Sequence, residues 1–225
     1  MSTQQCARFC NNPNQEHEEA VKRICRYLLK TRDKGLVLRP DESKGLECFV
    51  DADWAGSWKH RSSNDPLSSH SRTGYYITYA GCPLMWKIKM QPLIALSTIE
   101  AEYIALSSAL REVIGIIHLL EELEQQGFHI HKVTPKITCK TFEDNMSCIK
   151  IATSHKTRPR TKHLSRRLHH FRSYVVNKTI TIQHISTKDQ IADILTKPLP
   201  RVQFTKLCEQ LMSWSHLASQ GSESI

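Results

Sequence analysis

The sequence has no acidic residue between Asn145 and Lys188, although Lys150, Lys156, Arg158, Arg160, Lys162, Arg166, Arg167, Arg172, Lys178 and Lys188 fall in that stretch. The formal net charge is +9, and the rest of the chain is close to neutral. Solvated surfaces mix the two signs, so a run of one sign points to a polyanion, nucleic acid above all; a solubilising surface is the alternative. Also lacking is any run of roughly eighteen uncharged apolar residues, as a membrane span requires. The first residues, Met1 to Cys6, lack the apolar core of a secretion signal. The expectation is a protein that stays inside a cell and has no membrane partner. No Cys-x-x-Cys occurs among Cys6, Cys10, Cys25, Cys48, Cys82, Cys139, Cys148 and Cys208. Reduced, mostly buried thiols are therefore expected, and a zinc site is not.

With 225 residues, of which 40% are apolar, the chain can build one core of about 150 residues plus an appendage. The stretch around which the rest is organised is Leu46 to Asp53, followed by Trp54-Ala-Gly. It alternates with the period of a strand, which puts Asp51 and Asp53 on one face at its end. An ionised carboxylate leaves water at high cost unless a cation or donors compensate it, so a core strand ending in aspartates suggests a metal. The alternative is a strand running into a solvated turn capped by one of the two.

Residues 1–45 read as an appendage whose apolar stripe, Ala20, Val21, Ile24, Cys25, Leu28 and Leu29, predicts a helix over 16–30. One such helix must cover its greasy face with the next domain or with something outside this chain. Residues 57–72 are polar and turn-rich, a loop; 74–80 and 83–89 predict a hairpin around Gly81-Cys82. Ser97 or Thr98 caps a long helix to about Gln125, with Glu102 on its apolar line and Glu100 on the wetter side. Glu102 either enters the edge of the core or serves the helix N-terminus, where acids are favoured.

Residues 136–142 predict a strand ending in Glu143-Asp144-Asn145, with a short helix over 146–152. Asp144 can be a site carboxylate or simply that helix's N-cap. His155 to His163 is an extended basic segment, and 164–174 returns to helix with Leu168, Phe171 and Val175 inward. Thr179 to His184 is the last strand, and a helix from Thr187 sets Asp193 among apolar neighbours. A final amphipathic helix spans 202–212, and 213–225 is expected to be disordered.

Asp51, Glu102, Asp144 and Asp193 thus come from the ends of four elements. Were they to meet, only divalent cations could make the meeting stable, and an oxygen-only set suits Mg²⁺. Two such ions can activate a water and stabilise the leaving oxygen in phosphodiester cleavage. With a basic segment to hold a nucleic-acid backbone, the sum is a metal-dependent nuclease.

Six motifs in order carry a resemblance: Val50-Asp-Ala-Asp-Trp-Ala-Gly56, Ser71-Arg-Thr-Gly-Tyr75, Ala95-Leu-Ser-Thr-Ile-Glu-Ala-Glu-Tyr-Ile-Ala105, Glu143-Asp-Asn145, Arg160-Thr-Lys-His163 and Gln190-Ile-Ala-Asp-Ile-Leu-Thr-Lys197. Together they resemble the ribonuclease H domain of copia-type LTR retrotransposon polyproteins, over residues 46–212. Gln5 to Phe9 and Ala20 to Leu28 resemble the end of the reverse transcriptase that precedes that domain, so 1–45 is expected to be its C-terminal remnant. The resemblance implies an α/β RNase H-like fold, a five-stranded mixed sheet flanked by helices. It also implies Mg²⁺-dependent cleavage of the RNA strand of RNA/DNA hybrids by two ions, with Mn²⁺ as a substitute.

By motif, Asp51, Glu102, Asp144 and Asp193 are the implied catalytic and metal-binding residues. Lys156, Arg158, Arg160, Lys162, Arg166 and Arg167 would bind the hybrid, and His184, nine residues before Asp193, could help product leave. The implied partners are an RNA/DNA hybrid and the upstream reverse transcriptase, and the implied place is cytoplasmic, in a virus-like particle, or nuclear. Trp86-Lys-Ile-Lys-Met-Gln91 departs from the usual Trp-x-Ser-Lys-x-Gln, and Leu164-Ser-Arg-Arg departs from an Ile followed by a small or acidic residue. These departures leave open a degenerate domain that binds nucleic acid without cutting it. Asp51-Ala-Asp53 does not have the adjacent aspartates of a polymerase hairpin, so DNA synthesis by this chain alone is not expected.

Overall fold

A computed structural model of the chain describes residues 2–41, 43–56, 66–130, 136–154 and 170–214. The element nearest its centre is strand β1, Leu46–Asp53, whose burial alternates as far as Val50 and then stops alternating. Asp51 and Ala52 are both buried because helices cover both faces of the sheet at that level.

Strand β2, Arg72–Tyr79, runs antiparallel to β1, and β3, Cys82–Met90, runs antiparallel to β2. The two residues between β2 and β3, Ala80 and Gly81, have φ of 50° and 70°, a pair of left-handed conformations that matches the twist of a tight hairpin. The turn lies one residue earlier than the sequence predicts. Strands β4, Cys139–Glu143, and β5, Ile180–His184, run parallel to β1, giving a mixed sheet in the order β3-β2-β1-β4-β5. Parallel neighbours need crossovers, and the long helix supplies the first of them. β3 is the exposed edge, carrying Lys87 and Lys89, which discourage pairing with another sheet. The expected α/β architecture, a five-stranded mixed sheet flanked by helices, is present.

Helix α3, Thr98–Gln125, lies across β1 and β2 and buries Ala101, Ala105, Leu106, Ala109, Leu110, Val113 and Ile117 against Cys48, Val50, Tyr75 and Ile77. By length and composition it could cross a membrane, but its apolar side is covered by the sheet. Numbering continues in chain order from two helices before β1: α1 is Ser2–Ala7 and α2 is Gln15–Lys30. After β4 come α4, Met146–Thr153, and α5, Arg172–Val176; after β5 come α6, Asp193–Thr196, and α7, Arg201–Met212.

Residues 2–41 dock on this domain through specific contacts. Gln5 Oε1 accepts from Arg72 Nη2 at 3.2 Å, and Tyr27 meets the Phe204 ring edge-on at 6.0 Å. The stripe on α2 is covered only in part, since no residue of that helix is buried. Trp214 Nε1 donates to Gly35 O at 2.6 Å, and Lys34 lies over the indole at 5.1 Å. Residues 213 and 214 are therefore held in place, while the expectation of disorder for 215–225 lies outside the described residues. Eight free cysteines are found, of which Cys48, Cys139, Cys148 and Cys208 are buried.

Candidate metal centre

Asp51 stands opposite Gly74 on β2, and its side chain is fully buried. Gly74 is required there by close approach: a Cβ would lie 2.5 Å from Thr196 Cγ2 and 3.0 Å from Leu195 Cβ. The missing side chain lets α6 settle against β1 and β2. From α6 and the residue after it, the Thr196 hydroxyl donates to Asp51 Oδ2, and Lys197 Nζ donates to Asp51 Oδ1 at 2.8 Å. Asp53, which shares the strand end, is held by Arg72 at 3.7 Å instead.

Glu102 arrives on the first turns of α3. Ser97 Oγ accepts from the Glu100 N–H at 3.2 Å, so the serine is the N-cap, one of the two residues the sequence offered. Gln91 Nε2 donates to Ala101 O at 2.9 Å and to Thr73 Oγ1 at 3.1 Å, which ties the helix start to β2. Trp54 Nε1 donates to Ala95 O at 2.9 Å and ties the same region to the end of β1.

Asp144 follows β4. The N-cap of α4 is Asn145, whose Oδ1 accepts from Ser147 N and Cys148 N. Asp144 is thereby relieved of the capping role that the sequence left open, and its Oδ2 accepts from the Thr187 hydroxyl at 2.8 Å.

One ligand oxygen from each of Asp51, Glu102 and Asp144 can be chosen so that all lie within 4.8 Å of one another. Asp193 is linked to Asp51 by Lys197 Nζ, which donates to Asp193 Oδ1 at 2.9 Å. Three of the four carboxylates are thus gathered directly, and the fourth, Asp193, is tied to one of them, Asp51, through Lys197.

The electrostatics match the crowding. Burial, then the charges of Asp51, Glu143 and Asp144, push Glu102 well above the usual carboxylate range, with Lys197 opposing. Burial, then Asp51, raises Asp193 to about 7. Burial works against the Lys197 ammonium, but Asp51 and then Asp193 outweigh it and hold the lysine above its ordinary value. Glu102 Oε2 and Glu143 Oε2 are buried without any hydrogen-bond donor among the described residues. Carboxylate oxygens in this state call for a cation, and an all-oxygen set suits a hard divalent ion. The acidic cluster is consistent with divalent metal binding.

No family model matches the chain. It is 36% identical over 206 residues to "Retrovirus-related Pol polyprotein from transposon TNT 1-94" of Nicotiana tabacum, covering 92% of this chain and 14% of that protein. It is 33% identical over 206 residues to the corresponding polyprotein from transposon RE2 of Arabidopsis thaliana, covering 91% and 13%. Over 91–92% of its length the chain is thus similar to retrovirus-related Pol polyproteins of transposons. It spans only 14% and 13% of the length of these two relatives. Among solved structures, "LC11-RNase H1 in complex with RNA/DNA hybrid" matches with a TM-score of 0.41 at 15% identity, covering 67% of this chain and 93% of that one. RNase H1 from Halobacterium salinarum matches with a TM-score of 0.42 at 15% identity, covering 68% and 95%.

Two residues of the site were not singled out by sequence reasoning. Glu143 is fully buried, and burial first, then Asp144 and Asp51, raise it to about 9 against the Asn145 N–H on its Oε1. It shares the buried face of β4 with Cys139 and Thr141, so the two-residue period could have found it. Lys197 lies four residues after Asp193, the spacing of an ion pair on a helix. His184 ends β5, exposed and opposite Glu143 in the sheet register. Lys156, Arg158, Arg160, Lys162, Arg166 and Arg167 lie outside the described residues.

Proposed function

We propose that this chain is a ribonuclease H that hydrolyses the RNA strand of RNA/DNA hybrids with two Mg²⁺ ions, Mn²⁺ serving as a substitute. The observation that carries the reading is the convergence of Asp51, Glu102 and Asp144 within 4.8 Å at the end of a buried sheet. Bound there, divalent ions would supply the Lewis acidity that activates a water and neutralises a leaving oxygen. Asp51, Glu102, Asp144 and Asp193 are the residues that would hold them. The relatives are transposon Pol polyproteins, and one neighbour in fold was solved with an RNA/DNA hybrid.

In this reading, residues 46–212 carry the nuclease, and 1–45 belong to the end of a reverse transcriptase that acts beside it. Lys156, Arg158, Arg160, Lys162, Arg166 and Arg167 hold the hybrid backbone, and each phosphate contact steepens the salt dependence of binding. His184 assists product release. The chain works inside the cell, in a cytoplasmic particle or the nucleus.

The test is purified protein with a labelled hybrid and Mg²⁺. Asp51→Asn is expected to abolish cleavage of the RNA strand and to keep hybrid binding. Full cleavage by that variant refutes the site. Tight, salt-sensitive binding by the wild type with no product supports the alternative of a degenerate binding domain.

A further inference from the structure

Lys197 ends the short α6 segment that the Gly74 gap admits against the sheet. Its Nζ stands 2.8 Å from Asp51 Oδ1 and 2.9 Å from Asp193 Oδ1, so one ammonium bridges a pair of carboxylates. The two carboxylates are 0% and 4% exposed, whereas the lysine side chain is 31% exposed. The anions are fixed, and the cation has a way out.

Among the described residues, no lysine or arginine forms an ion pair with Glu102 or Asp144, which each offer a ligand oxygen within 4.8 Å of one from Asp51. Asp51 therefore belongs both to a carboxylate group with the chemistry for a divalent ion and to a pair bridged by the chain's own ammonium. Resting on the metal reading above, we propose that Lys197 is a built-in counter-ion that occupies the second cation position, between Asp51 and Asp193. The folded chain then takes one divalent ion tightly, at Asp51, Glu102 and Asp144. A second enters only as Lys197 swings aside.

The physical reason is charge. One ammonium offsets one of the two carboxylates, which stabilises the folded chain before any metal arrives but leaves that side less attractive to a divalent ion. A phosphodiester brought to the site adds a negative charge that both the departing ammonium and the incoming ion can share. Loading of the second ion is thereby coupled to loading of substrate, and Lys197 acts as a positioning residue.

The experiment counts Mn²⁺ ions by electron paramagnetic resonance and calorimetry on the full chain without nucleic acid. Wild type is expected to bind one ion tightly and a second at least about tenfold more weakly. Lys197→Met, which keeps the stem and loses the charge, is expected to tighten the second ion by about tenfold or more, and Lys197→Arg to behave like wild type. Two equally tight ions in wild type overturn the proposal and leave the metal reading standing, even should Lys197→Met fail to fold. Unchanged binding of the second ion in a folded Lys197→Met also overturns it. Absence of Mn²⁺ binding by wild type overturns the metal reading and this inference together. A hybrid oligonucleotide that tightens the second ion in wild type more than in Lys197→Met supports the coupling.

Discussion

Replacing Glu102 by Gln should make the metal-free protein more stable, although it removes a site residue. Glu102 is 3% exposed, one of its oxygens has no donor, and it lies within 4.8 Å of both Asp51 and Asp144. At that separation a like-charge pair costs about 3 kcal/mol at an effective dielectric constant near 20. Lys197 and uptake of a proton relieve part of this, leaving about 2 kcal/mol for glutamine to recover. The folded-state value of Glu102 lies above its unfolded one, so the folded chain holds the proton more tightly. Stability from that proton is fully present below the unfolded value near 4.3 and is lost as pH rises toward the folded one. The gain from Glu102→Gln should therefore be largest at pH 8 and close to zero near pH 4. Thermal melts in chelator at pH 8 should show the variant higher by about 4–8 °C. Saturating Mg²⁺ should raise wild type more than the variant, because the glutamine is the poorer ligand. A variant no more stable than wild type in chelator at pH 8 refutes the reasoning.

Two further substitutions test how α6 is seated. Gly74→Ala drives a Cβ to 2.5 Å from Thr196 Cγ2, and such overpacking should cost about 1–3 kcal/mol in urea unfolding while separating Lys197 from Asp51. Gln190→Leu removes a buried amide that donates to Val50 O at 2.9 Å and to Phe142 O at 3.4 Å, and should cost about 1–3 kcal/mol by the same measurement.

The elements with a strong period were legible in the sequence. β1 has the bounds that the sequence predicts, Leu46 and Asp53, and α3 begins at the Ser97 cap. Glu102 was separable from Glu100 because a helix sorts its faces, and the structure buries the first and leaves the second half-buried. What failed to show was set by contacts between elements distant in sequence. Residues 187–195 read as one helix but form a 3₁₀ turn, Thr187–Asp189, and then α6. The break falls at Gln190, which is extended and fully buried, with its amide spent on the backbone of β1 and β4. The strand expected over 136–142 begins at Cys139 instead, where pairing with Leu46 and Ile180 starts. Of the helix expected over 164–174, the first six positions lie outside the described residues, and the described helix is Arg172–Val176 with Phe171 buried beside it. Trp214 follows a polar-looking boundary, and the partners of its indole, Gly35 O and the Lys34 ammonium, come from far away in the sequence. Lys197 belonged to a quoted motif, yet its role depends on α6 reaching β1, which Gly74 permits from another strand.

The central claim is that carboxylates from separate elements are gathered here to share divalent cations. Crystals soaked in Mn²⁺ and measured at its absorption edge test this most directly. The account predicts an anomalous peak in contact with Asp51, Glu102 and Asp144; a Mn²⁺-soaked crystal with no peak at those three residues contradicts it.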